Sequence, residues 1–202
     1  MKLTYTVQIS VDGVIQGNGG LHDIDRRQGF GRGGWGRPLF DAEAVACVGE
    51  VYQRASAFLL GRNTYEMFSN YWGKMDLGSN STADALNTHP KYVASTTLTN
   101  PAWADTTVLS GDLAAAIGEL KAKPGEELQV HGSARLIRWL IQNDLVDEIN
   151  LLVAPVVVGQ GTRLFPDLGP DLALELAESR AFPKGITLQS YRVIGRPQYG
   201  TY

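Results

Sequence analysis

"FLLGRNTYEMF", residues 58–68, sets a short apolar run against a glycine and then a helical pattern. Residues 57–60 are wholly apolar, as in a strand covered on both faces. Gly61 ends that run. Asn63 and Glu66 then have the spacing of a capping box that opens a helix over 63–72. The same order recurs in "LQVHGSARLIRWL", residues 128–140: a strand over 127–132 that ends at Gly132, then a helix with Ser133 as its expected N-cap. Exposed first-turn amides and the positive end of a helix dipole attract phosphate. Arg62 adds a full charge and Thr64 a hydroxyl donor. Two such turns in one sheet suit the two phosphates of a dinucleotide. They equally suit ordinary strand-to-helix turns, with glycine for tight reversal and Asn or Ser as caps.

Outward from these turns, strands alternate with helices. Residues 3–10, 91–95 and 106–110 read as strands, and 41–55 and 112–123 as helices, the latter stopped by Pro124-Gly125. Residues 146–159 form a long strand pattern interrupted by Pro155, which implies a bulge or an edge. Residues 172–182 and 185–194 read as a terminal hairpin. The alternation predicts an α/β fold: a central, mostly parallel sheet with flanking helices and an antiparallel C-terminal hairpin edge. No linker divides the chain, so one domain is expected over 1–195, with a tail at 196–202.

The composition narrows the function. With 44% hydrophobic and 19% charged residues among 202, the chain can bury a real core. A net charge of -3 and the lack of a Lys/Arg run argue against nucleic-acid binding. Cys47 stands alone, and His22, His89 and His131 lack ligand spacing, so no disulfide and no metal site are expected. The start, "MKLTYTVQIS", lacks the apolar run of a signal peptide, and no segment has the length to span a bilayer. A cytoplasmic protein without a membrane partner is expected.

"GFGRGGWG", residues 29–36, contains the spacing G-x-G-x-x-G. A dinucleotide fingerprint needs a strand before it and a helix opening at its last glycine. Charged "LHDIDRRQ" precedes it and "WGRPLF" follows, so the stretch reads as part of a long loop over 17–38. A mobile lid with Trp35 as its apolar contact is the expectation.

"LLGRNTYEMF", "KYVASTTL", "VHGSARLIRWL" and "PVVVGQGTRLF", together with the opening "ISVDGVIQG", resemble the dihydrofolate reductase-like family. The closer resemblance is to the reductase domain of bacterial riboflavin biosynthesis, and it covers almost the whole chain. It implies the three-layer fold of that family, NADPH as hydride donor, and pairing of two copies through the sheet edge and C-terminal region. By motif position it implies that Gly61, Arg62 and Thr64 meet the cofactor phosphates, and that Ser95 and Thr96 lie at the adenosine 2′-phosphate. Gly132, Ser133, Ala134 and Arg135 would border the pyrophosphate, and Ile15 would offer its carbonyl to the nicotinamide carboxamide. Many relatives carry a basic residue where this chain has Thr96, which bears on NADPH against NADH.

The resemblance places the substrate under the long loop and beside the helix that begins near Asp41. Trp35, Phe40 and Tyr52 are candidates for an apolar wall, and Phe40 and Tyr52 also suit the core. Asp41 and Glu43 are the candidate catalytic acids; Asp41 equally suits an N-cap and Glu43 a solvated first turn. Arg163 is a candidate for a substrate phosphate or a surface residue on a turn. The implied activity is reduction of 5-amino-6-(5-phosphoribosylamino)uracil. Neither H-x-E nor P-C-x-x-C, the marks of a zinc deaminase half, occurs. Dihydrofolate reduction and non-catalytic nucleotide binding on the same fold are the alternatives.

Overall fold

β-Branched, aromatic and apolar residues predominate over positions 3–9, and this stretch lies in the strand β1 (Lys2–Ser10) inside an eight-stranded sheet. The computed structural model describes residues 1–200; residues 201–202 of the expected tail lie outside the described residues. The other strands are β2 (Ala55–Gly61), β3 (Lys91–Ala94), β4 (Thr106–Leu109), β5 (Glu127–His131), β6 (Glu148–Ala154), β7 (Ala173–Ala181) and β8 (Thr187–Gly195). Their order across the sheet is β4-β3-β2-β5-β1-β6-β8-β7. From β4 to β6 every pairing is parallel; β8 pairs antiparallel with β6 and with β7. The helices are α1 (Asp23–Arg27), α2 (Ala42–Gln53), α3 (Arg62–Tyr71), α4 (Ser81–Thr88), α5 (Leu113–Ala122) and α6 (Ala134–Gln142).

Strand alternation assigns the two faces. Leu3, Tyr5, Val7 and Ile9 of β1 pack with Ile117 and Leu120 of α5 and with Leu136, Ile137, Leu140 and Ile141 of α6. On the opposite face Phe58 and Leu60 of β2 meet Tyr52 of α2, Tyr65 of α3 and Leu86 of α4. The result is three layers. Under α2 the sheet face is polar. Gln129 donates to the Val51 carbonyl at 2.6 Å and to Glu127 at 2.7 Å, Thr4 donates to Glu127 at 3.0 Å, and Asn150 donates to Thr6 at 3.2 Å. Each buried polar group thus finds a partner, which is what such a network needs to be tolerated. In contrast, the Tyr5 hydroxyl on the other face is buried without one among the described residues.

Several expectations change. The stretch 17–38 holds α1 and, at Arg37–Leu39, a turn of 3-10 helix. α4 was not expected; Asn80 caps it, accepting from the Thr82 amide at 2.9 Å. β6 stops at Ala154, so Pro155 follows the strand rather than bulging it. The anticipated cap at Asn63 is absent: α3 starts at Arg62 with Gly61 as N-cap, and Glu66 pairs with Arg62 at 2.7 Å. Ser133 occupies the N-cap position of α6 but makes no side-chain cap, because its backbone is left-handed and its hydroxyl points elsewhere.

Candidate functional site

Adjacent parallel strands end at the same edge of a sheet, so β2 and β5 bring their glycine turns together. The Gly61 amide donates to Ser133 Oγ at 3.0 Å, and the Ser133 and Thr64 hydroxyls lie 2.7 Å apart. A Cβ on Gly61 would sit 2.8 Å from Ser133 Oγ, and one on Gly132 would sit 3.1 Å from Thr64 Oγ1. Only glycine allows this approach at both turns, and Gly132 also has φ +58°. Neither α3 nor α6 receives a side-chain cap from its N-cap residue. Two helix N-termini therefore converge with their first turns uncapped, an arrangement that favours an anion. The two hydroxyls share one hydrogen bond, so one of their two protons has no acceptor among the described residues.

Cations flank the pair of turns. Arg62 donates to Glu66 at 2.7 Å and to Thr97 Oγ1 at 2.6 Å, which ties the start of α3 to the loop after β3. Arg135 is exposed at the start of α6, and its side chain makes no hydrogen bond or ion pair among the described residues. Ala134 is the first residue of that helix. Ser95 Oγ accepts from the amides of Thr97 and Leu98 at 3.2 and 3.0 Å, and Thr96 is exposed beside it.

Beyond the end of β1 three segments interlock. Asp12 accepts from the Ser10 hydroxyl at 2.7 Å and from the Val158 and Gly159 amides at 2.9 and 2.8 Å. These bonds, the Ser10 hydroxyl foremost and the Val158 amide next, hold its carboxyl well below the usual range, at about 2. Ile15 donates its amide to the Thr162 carbonyl at 3.0 Å, while its own carbonyl accepts no hydrogen bond among the described residues. Gln16 accepts from the Thr162 amide at 2.9 Å, donates to Asp25 of α1 at 2.9 Å, and accepts the Trp35 indole N–H on its carbonyl at 2.8 Å. Phe30 is 3% exposed, packed with Val14 and Val158. Glycines at 17 and 161 leave room for its ring: a Cβ there would lie 2.5 and 2.7 Å from it. The glycine-rich loop is thus anchored by Phe30, hydrogen-bonded through the Trp35 indole, and packed through the Trp35 ring against the Phe30 cluster.

The candidate acids have structural partners. Asp41 caps α2, accepting from the Ala44 amide at 2.9 Å, and its second oxygen accepts from the Lys184 amide at 2.9 Å. These bonds, Ala44 first, lower its pKa. Glu43 is exposed and faces Arg180 of β7 at 3.6 Å. Both oxygens of Asp41 are thus engaged, while Glu43 reaches solvent with only this ion pair. Tyr52 is 7% exposed in the core, stacked on His131 with ring centroids 4.1 Å apart, which corrects its assignment to a substrate wall. Trp35 and Phe40 are half-buried against the α2–β8 core cluster. Arg163 donates from Nε to the Asp12 carbonyl at 2.9 Å and is otherwise exposed. His131 hydrogen-bonds Gln129 at 3.0 Å, and burial drives its pKa down to about 3, so it is neutral. Among the described residues no three His, Cys, Asp or Glu side chains group as a metal site, and no helix is long and apolar enough to cross a membrane.

Asp12, Gln16 and Phe30 escaped the sequence reading. The V-D-x-V-I pattern flagged the neighbourhood of Asp12, but nothing local shows that residues 158–162 return to it.

Residues 1–188 match the family described as the RibD C-terminal domain. Two uncharacterized proteins of Bacillus subtilis strain 168 are similar along their length. YyaP is 24% identical over 190 residues, covering 92% of this chain and 91% of its own. YwjB is 24% identical over 198 residues, covering 95% and 98%. Among solved structures, a Shewanella sp. PV-4 protein described under riboflavin biosynthesis superposes with a TM-score of 0.67 at 23% identity, covering 96% of this chain and 99% of that one. A pyrimidine reductase-like protein from Corynebacterium diphtheriae gives 0.63 at 15% identity, covering 96% and 92%. The chain belongs to the RibD C-terminal domain family and shares its dihydrofolate reductase-like fold.

Proposed function

We propose that this member of the RibD C-terminal domain family is an NADPH-dependent reductase that delivers a hydride to a C=N or C=O bond of a small heterocyclic substrate. The observation that carries the reading is the meeting of two uncapped helix starts at Gly61 and Gly132, with an unspent hydroxyl proton between them. The bound cofactor supplies the hydride. The chain's own part is binding and orientation. The two turns bind the pyrophosphate, with Arg62 and Arg135 as counter-charges. Ser95 and Thr96 meet the adenosine 2′-phosphate. The free carbonyl of Ile15 accepts from the nicotinamide carboxamide, fixing which face of the ring meets the substrate.

The substrate lies under the 17–40 loop beside Trp35 and Phe40, where the loop excludes water. The guanidinium of Arg163 has spare donors for a substrate phosphate, as 5-amino-6-(5-phosphoribosylamino)uracil would require. The proton that accompanies the hydride comes from solvent, since both oxygens of Asp41 accept backbone amides.

The test is cofactor titration followed by turnover. NADPH is expected to bind saturably and more tightly than NADH, and to be oxidised in the presence of pyrimidine or other imine substrates. Equal affinity for the two cofactors would remove the preference for NADPH. Binding without oxidation across imine, carbonyl and pterin compounds would leave a nucleotide-binding protein. No binding of either cofactor would overturn the reading.

A further inference from the structure

Resting on that reading, we propose that Gln8 is a specificity-determining residue: its carboxamide pairs with adjoining N–H and C=O groups on the edge of an uncharged substrate ring. β1 lies inside the sheet with helices on both faces, and every residue from 3 to 10 is buried except Gln8. Solvent therefore reaches this strand at one interior position. The register gives the reason. β5 pairs with β1 only as far as Thr6, opposite His131, whereas β6 continues alongside it to Ser10. Gln8 thus stands past the end of β5 and beside Leu152 of β6. Ligands of open α/β sheets bind just beyond such strand ends. Alternation puts Gln8 on the same face as Thr4 and Thr6, the face that α2 covers.

The side chain is unspent there. The amides of Gln129 and Gln16 are held by Val51, Glu127, Asp25 and Thr162, but the Gln8 carboxamide makes no hydrogen bond among the described residues. A Cβ on Gly36 would lie 3.4 Å from Gln8 Oε1, so the glycine lets the loop backbone rest against the amide. The surrounding wall is apolar: Leu152 and Ala44 belong to the core cluster on which Trp35, Leu39 and Phe40 pack. Asp41, at the start of α2, has both oxygens on backbone amides. The spare hydrogen-bonding group of this wall is therefore neutral, with an acceptor and two donors in one plane. A flat ring resting on Trp35 and Phe40 meets both ends of the amide if its edge carries an N–H beside a C=O. A ring without that edge displaces the water on the amide and leaves it unpaired, which is how a polar group in an apolar wall discriminates.

Two probes test this role. Quinoxalin-2-one is a cyclic imine with a lactam edge; its N-methyl derivative keeps the imine and the carbonyl but loses the N–H. Each is titrated into the full chain saturated with the oxidised cofactor. The wild type is expected to bind the lactam at least about tenfold more tightly than the methylated ring. Gln8→Met keeps the length of the side chain and removes its donors and acceptor, and Gln8→Leu does the same with a shorter one. Both should bring the two affinities to within about twofold, through loss of the tighter one. Their thermal midpoints should not fall, because the amide they replace makes no bond inside the protein. Gln8→Glu keeps an acceptor for the ring N–H and should retain most of the preference. A preference that survives in folded Gln8→Met or Gln8→Leu would overturn the proposal. So would equal binding of the two probes by the wild type, or binding of neither, while the cofactor reading stayed intact. A wild type that binds neither NADPH nor NADH would overturn the reductase reading instead; the lactam preference, then measured without cofactor, still decides the role of Gln8.

Discussion

At the residue scale, the candidate site is tied together by side chains whose partners lie far away in the sequence: Ser133 with Gly61 and Thr64, and Asp12 with Val158 and Gly159. Gly61 and Gly132 announced themselves by their place between an apolar run and a helical pattern. Ser133 reads as a cap because serine before a helix usually is one; its hydroxyl instead bonds Gly61 and Thr64, far off in sequence. Asp12 shows the same limit, since its partners Val158 and Gly159 lie in a distant loop. Its depressed pKa has a testable sign. A carboxyl held at about 2 in the fold against 3.8 otherwise contributes stability that is fully present above 3.8 and is lost as pH falls toward 2. Asp12→Asn should therefore lower the thermal midpoint at neutral pH by roughly 2–4 °C, the worth of about one hydrogen bond. The gap to the wild type should close as pH falls through that window. A gap that stays constant down to pH 2 would show that the carboxylate charge is not what holds the 158–159 loop.

At the element scale, most strands and helices followed from periodicity. β1 and α6 were visible because their apolar residues recur at 2 or 3.6, and β2 and β5 because an apolar run ends at a glycine that precedes a helical pattern. α4 was hidden because "STADALNT" is short and mostly polar; only Asn80 hinted at a cap. The 17–40 loop hid its anchor for a different reason: one phenylalanine among glycines has no period. Phe30 now defines how this element works. Phe30→Ala should free the loop, seen as faster protease cleavage within residues 17–40. It should also cut turnover on the order of 10- to 100-fold through lost substrate positioning. NADPH affinity should change little, because the cradle at Gly61 and Gly132 is built from other elements. If NADPH affinity falls and turnover per bound cofactor does not, the loop grips the cofactor rather than covering the substrate.

At the scale of the whole molecule, topology makes the site. β5 inserts between β1 and β2, so turns 71 residues apart at Gly61 and Gly132 become neighbours. The sequence showed two turns of one kind; it could not show that they touch, because strand order is decided by the packing of whole layers. The same topology aligns the strand ends. It gathers the ends of β3, β2, β5 and β1 along one edge, the place where ligands of open α/β sheets bind.

That contact also provides the sharpest test of dinucleotide binding at the joined turns. Gly61 has φ −78°, so alanine fits its backbone, yet the added Cβ would lie 2.8 Å from Ser133 Oγ and push the two turns apart. The decisive measurement is calorimetric titration of NADPH into the wild type and into Gly61→Ala, with circular dichroism to verify the fold. The expected result is saturable binding to the wild type and at least about tenfold weaker binding to a folded Gly61→Ala. Equal affinity in the two folded proteins, or none in the wild type, would contradict it.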